Sequence, residues 1–169
     1  MKPDPSSHSP YFGTYIDLVV EANLAKALDF SKANVTNFWS TISEDQSNYR
    51  YAEGKWSIKE LLQHIIDTER IFSYRALAFA RGEKTPLPGY DENQYTDNCL
   101  ADSRSFKEMV DEIAMVRKST ISLFKSFDES VLDILGKASD SNLSARAAGF
   151  IIVGHEIHHM NVVKERYLK

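Results

Sequence analysis

The chain has 169 residues, of which 43% are apolar and 26% charged, with a net charge of −4 and a pI near 5.7. That composition excludes a disordered chain, the length suits one hydrophobic core, and the acidic balance argues against a dedicated duplex nucleic-acid binder. The single cysteine, Cys99, can make neither an internal disulfide nor a cysteine-rich zinc site, and no apolar stretch approaches the ~20 residues of a membrane helix; the sequence therefore predicts a cytoplasmic protein with no membrane or nucleic-acid partner.

The first ten residues, MKPDPSSHSP, are too polar and proline-rich for a signal peptide and read as a flexible tail ahead of a single domain over residues 11–169. A first helix is predicted from about 14 to 42, where Thr14 and Asp17 resemble a capping pair and Val20, Leu24, Ala27, Val35, Phe38 and Ile42 fall near one face. The second is predicted over about 57–81: Ser57 and Glu60 form a capping box, Leu61, Ile65, Phe72 and Ala76 make the apolar stripe, and Gly82 stops the helix. Residues 82–104 are too long for a plain connection and read as a functional loop or a crossover. A third helix starts at a second box, Ser105 with Glu108, and carries Phe106, Met109, Ile113, Thr120 and Phe124 inward. A short turn fits DESVLDIL behind Asp128, and a last helix runs from Ser144 to the end. Four long helices and no convincing strand predict an all-α, antiparallel four-helix bundle with one long crossover between helices 2 and 3.

Chemistry concentrates in the last helix, which carries GHEIHHMNVVKER. His155 and His159 are four apart, so they differ by about 40° in azimuth and can grip one ion. The run also satisfies the H-E-x-x-H pattern of zinc peptidases, but those enzymes find a third ligand downstream, and only ten residues follow His159. A third ligand must come from upstream. His8 lies in the tail; His64 lies mid-helix on a stripe with Leu61, Thr68 and Ile71, where an inward imidazole can meet the i,i+4 pair of another helix. Three imidazoles with open positions suit Zn²⁺, Ni²⁺ or Fe²⁺ better than Mg²⁺ or Ca²⁺. The bland alternative is a set of hydrogen-bonded core histidines.

The same residues resemble a known family. GKWSIKELLQHIIDTERIFSYRALAFARGEKTPLPGYDE, followed by the terminal GHEIHHMNVVKERYL, is similar to the DinB/YfiT-like superfamily of metal-dependent enzymes over nearly the whole chain. The resemblance implies a four-helix bundle and a divalent metal held by His64, His155 and His159, with His158 a flanking position that packs on a neighbour or is partly solvated. It implies either S-transferase chemistry with a low-molecular-weight thiol as cofactor or metal-assisted hydrolysis, in each case on a small-molecule substrate. Fold does not fix the reaction; a non-catalytic metal-binding or stress-related bundle acting through a partner is the reading from another class.

Both chemistries need a proton acceptor. Glu156 neighbours a ligand in sequence but points about 100° away from His155, as a supporting or surface residue more than a base. Asp67, one turn after His64, suits either orientation of an imidazole N–H or a partnership with Arg70 or Arg75. Glu69 and Arg70 suit a structural ion pair across helices. Tyr90, Asp91 and Tyr95 in the long loop are substrate-side candidates, or aromatics that tie down a crossover. Cys99 reads as a small apolar filler, and Trp39 and Trp56 as core or helix-end packing. Homodimerisation through an apolar helix face is open.

Overall fold

The computed structural model describes residues 1–168. Its elements in chain order are α1 (Pro10–Ile16), α2 (Leu24–Trp39), α3 (Glu44–Ser47), α4 (Ile58–Ala80), α5 (Glu92–Asn98), α6 (Phe106–Lys125), β1 (Leu135–Ala138), β2 (Ser141–Ser144) and α7 (Ala145–Arg166), with 3-10 turns at Pro5–Ser7, Ala101–Ser103 and Glu129–Val131. Helix makes up 64% of the chain. Among the described residues no helix is long and apolar enough to cross a membrane.

The helix starts follow the side chains that satisfy free backbone N–H groups. Ser57 and Glu60 complete a reciprocal capping box at α4. Ser144 accepts from Ala147 N at α7, and Asp128 accepts from Ser130 N at the short turn. Ser105 caps α6 alone, because the Glu108 side chain does not reach back. Gly82, at φ +85°, lets the chain leave α4 through a conformation that a side chain would oppose.

The bundle is α2, α4, α6 and α7, with neighbours α2–α6, α6–α4, α4–α7 and α7–α2. Contacts advance together along α4 and α6: Gln63 meets Arg104 just ahead of α6, Arg70 meets Glu112, and Ser73 meets Thr120. These two helices run parallel, which is what the crossover between them achieves. Along α4 and α7 they advance in opposition, with Trp56 meeting Tyr167 and His64 meeting His155. The core divides into two apolar clusters, one around Phe72, Phe79, Phe150 and Ile151, the other around Trp39, Ile58, Ile66, Met109 and Val163.

Between them the bundle is crossed by charge. Arg117 of α6 is fully buried and donates from Nε and Nη2 to both oxygens of Glu69 on α4, at 2.8 and 2.9 Å. Its Nη1 donates to Glu156 of α7 at 2.9 Å and to Ser31 Oγ of α2. One guanidinium thus ties all four helices. Two carboxylates face one cation, and burial pushes Glu156 up to about 7, with Arg117 pulling the other way. Glu156 Oε1 has no hydrogen-bond partner among the described residues.

Several elements differ from expectation. The first helix is two: α1 ends at Ile16, and Asn23 caps a new start by accepting from Lys26 N. Thr14 is no cap; its hydroxyl bonds Tyr11 O inside α1. α2 ends at Trp39, so Ile42 is buried outside the helix, and α3 follows behind its own capping box, Ser43 with Gln46. The long loop contains α5. A two-stranded antiparallel hairpin precedes α7, paired from Leu135↔Ser144 to Ala138↔Ser141. Its strands are only four residues each, LGKA and SNLS, too short to show an apolar alternation. The N-terminal residues are placed on this hairpin: Asn142 donates to Ser6 O, and Pro3 and Ser7 are buried.

Removing one member of a buried ion cluster strands the others. Arg117→Ala should cost about 3–5 kcal/mol in urea unfolding. Glu156→Gln should cost under about 1 kcal/mol, because it removes the surplus charge and leaves Glu69–Arg117 intact.

Candidate metal centre

The site forms on the α4–α7 seam, and the ion cluster sets its rotation. Glu69 lies five residues after His64 and Glu156 one after His155, so pinning both glutamates on Arg117 turns the histidines away from it, toward α1. Helix α1 then closes over α7. Gly154 permits this: a Cβ there would stand 2.0 Å from Tyr15 O. Tyr15 packs edge-on against both His155 and His158, at 5.3 Å between ring centres. Trp56 covers His64 at 5.1 Å.

Three imidazoles converge. His64 Nε2 lies 3.0 Å from His155 Nε2, which lies 3.0 Å from His159 Nε2. His155 is 6% exposed. Burial lowers His64 to about 4; burial and then the neighbouring imidazoles hold His155 and His159 well below the usual range. All three are therefore neutral at pH 7, the form that ligates metals.

Hydrogen bonding alone does not account for this geometry. His155 Nε2 carries either one hydrogen or one lone pair, yet it faces two ring nitrogens at hydrogen-bond distance. A divalent cation uses one lone pair from each ring and satisfies all three together. The donor set fits such an ion, and it is the one group of histidine, cysteine and acidic side chains with metal-ligand geometry found among the described residues.

The histidines line a cavity of about 410 Å³. His158 also lines it without joining the triad, packed on Tyr15 and His159. Tyr90 reaches the cavity and its hydroxyl bonds Thr68 Oγ1 at 2.8 Å.

The other candidates go elsewhere. Glu156, read as a supporting or surface residue, is neither beside the metal ligands nor exposed; it is 1% exposed in the ion cluster. Asp67 accepts from Gln63 at 2.9 Å and lies 3.9 Å from Arg70, in a separate depression with Cys99 and Tyr95; it does not orient His64. Asp91 is the exposed cap of α5, accepting from Asn93 N and Gln94 N. Glu69 and Arg70 do form ion pairs across helices, but with Arg117 and Glu112 and not with each other.

Sequence reasoning passed over several lining residues. Phe72 and Arg75 follow His64 and Thr68 at fours and threes on α4, so helical spacing alone could have found them. Tyr11, Phe12, Tyr15 and Ser139 reach the cavity from α1 and the hairpin turn, and no local pattern announces that docking.

Residues 27–163 match the model of the DinB superfamily. The protein YjoA of Bacillus subtilis (strain 168) is 30% identical over 134 residues, which cover 76% of this chain and 77% of that one. Among solved structures, YfiT from Bacillus subtilis aligns with a TM-score of 0.72 at 15% identity, over 98% of this chain and 90% of that chain. YfiT is described as a probable metal-dependent hydrolase with an unusual four-helix bundle topology. At that identity the likeness is one of fold.

Purified protein should hold about one equivalent of divalent transition metal by elemental analysis. His64→Ala, His155→Ala and His159→Ala should each lose most of it on dialysis, whereas His158→Ala should keep it. Full occupancy in His64→Ala would mean a wrong third ligand.

Proposed function

We propose a function on one premise: this chain belongs to the DinB superfamily. We read it as a metal-dependent enzyme for a small molecule, with His64, His155 and His159 holding a zinc or nickel ion, iron being the third possibility. A metal there supplies a Lewis acid that favours the deprotonated form of a thiol or of water. The observation that carries the reading is the convergence of three neutral imidazole nitrogens on the wall of a cavity large enough for a small substrate.

Thiol S-transfer is the preferred chemistry, with a low-molecular-weight thiol as co-substrate. The support is the lining of the cavity. Among the described residues its one carboxylate is Glu92, exposed at the start of α5, and no acid is hydrogen-bonded to the triad. A thiol ionises near pH 8.5, so it needs far less help from a base than water does. His158, whose imidazole burial holds neutral, is the remaining cavity group able to accept the proton. Tyr15 and Trp56 orient the imidazoles from either side and limit the access of bulk water. Hydrolysis is the second reading, favoured by the fold neighbour's description as a probable metal-dependent hydrolase. The single cysteine agrees with a reducing, cytoplasmic setting.

The two chemistries separate in one assay set. Conjugation of glutathione, cysteine or bacillithiol to a haloaromatic electrophile should be catalysed, abolished by chelator and restored by zinc or nickel. Hydrolysis of p-nitrophenyl acetate without added thiol, with no thiol conjugation, would favour the second reading. Metal retention with neither activity would leave a binding protein.

A further inference from the structure

Among the described residues three arginines are buried. Arg117 faces Glu69 and Glu156, and Arg146 faces Glu129 and Asp133. Arg75, 3% exposed, makes no ion pair with a described residue; the one carboxylate of its cavity, Glu92, is exposed and forms no salt bridge with it. Arg75 lines the same cavity as the three histidines. Burying a guanidinium without an ion-pair partner is costly. Such a residue is explained when its counter-charge arrives with a ligand.

The surroundings fix the side chain and leave part of it free. Nη2 donates to Pro88 O at 2.9 Å and to Ser139 Oγ at 3.2 Å. The faces of the guanidinium are covered by Phe72, 5.1 Å from its ring centre, and Tyr90, at 5.9 Å. Nε and Nη1 make no hydrogen bond to a described residue, so their N–H groups remain for a guest. The far wall is built to hold this arrangement. Leu87 N donates to Lys137 O and Ser139 N to Leu87 O, which joins the long loop to the hairpin. Ser139 and Asp140 turn the hairpin at φ +50° and +61°, a conformation usually given to glycine or asparagine, and Ser139 thereby meets Arg75.

We propose that this cavity is a two-ended site in which Arg75 binds the oxyanion of a small organic acid or phosphate ester, while the reacting group lies at the histidine end. Arg75 follows His64 by eleven residues, about 16 Å of helix, and its side chain leans back toward His64 as helical side chains do. Thr68 lies between the two on α4, and its hydroxyl pairs with that of Tyr90 at the cavity wall. A planar guanidinium with parallel N–H groups matches a carboxylate or phosphate in two-pronged fashion. Neutral substrates of the same length lack the group that the far end recognises. This inference deepens the proposed function and rests on it only for what happens at the histidine end.

The test is calorimetric titration of the zinc-loaded full chain with hexanoate, hexyl phosphate and hexanol. At least one anion should bind about ten-fold or more tightly than the alcohol, and the tighter of the two identifies the oxyanion as carboxylate or phosphate. Arg75→Met should bring the anions to the level of hexanol; Arg75→Lys should retain part of the difference. Chelator-stripped protein should keep the preference for the anion, because it originates at Arg75. Equal affinity for anion and alcohol in the parent protein overturns the proposal without use of any variant. So does a preference that survives Arg75→Met and vanishes on chelation, which would place the anion on the metal. Protein that never holds metal but still prefers the anion would refute the metal-enzyme reading and leave the Arg75 site standing.

Discussion

A single buried guanidinium organises this bundle. Arg117 draws Ser31, Glu69 and Glu156 from three other helices onto one point between the two apolar clusters. Apolar packing tolerates small rotations of a helix; a bidentate ion pair in a dry interior does not. The cluster therefore sets the azimuth of α4 and α7 as well as their separation. His64 and His155 occupy the α4–α7 seam, on the sides turned away from it. The histidine cluster is held in register by charges it does not touch.

Closure of the site is separate from its rotation. The missing side chain at Gly154 lets the α1 backbone lie against α7, which brings Tyr15 onto His155 and His158. The long loop and the hairpin supply the opposite wall through the Leu87–Ala138 bridge. Both pieces lie outside the four bundle helices. The bundle core thus fixes the ligands, while peripheral segments shape what can reach them. Fold alone does not fix a reaction, so the peripheral walls are where substrate choice can be written.

The elements that were legible in advance share a physical reason. Ser57 with Glu60, Ser144, Asp128 and Gly82 act within a few residues of themselves, so capping and chain reversal are visible locally. The spacing of His155 and His159 is likewise a property of one helix. The break between α1 and α2 was passed over because both halves share a helical pattern, although Asn23 supplies a local cap for α2; the docking of α1 on α7 adds a cause that no local pattern announces. The hairpin was not legible because its strands are only four residues long. Asp91 looked like a substrate group because an exposed acid in a long loop carries no sign of the cap it provides.

By itself the sequence determined the helical class, three of the four bundle-helix starts and the pair of histidines one turn apart, since each depends on periodicity or on contacts within a turn or two. Tertiary structure decided the rest. It brought His64 within 3.0 Å of His155, placed Glu156 in the interior instead of beside the histidines, ran α4 and α6 in parallel, and left Arg75 without an ion-pair partner among the described residues. Each of these depends on which faces meet across the bundle. That choice was made by packing and by the pairing of buried charges between residues far apart in the chain, where sequence spacing carries no information.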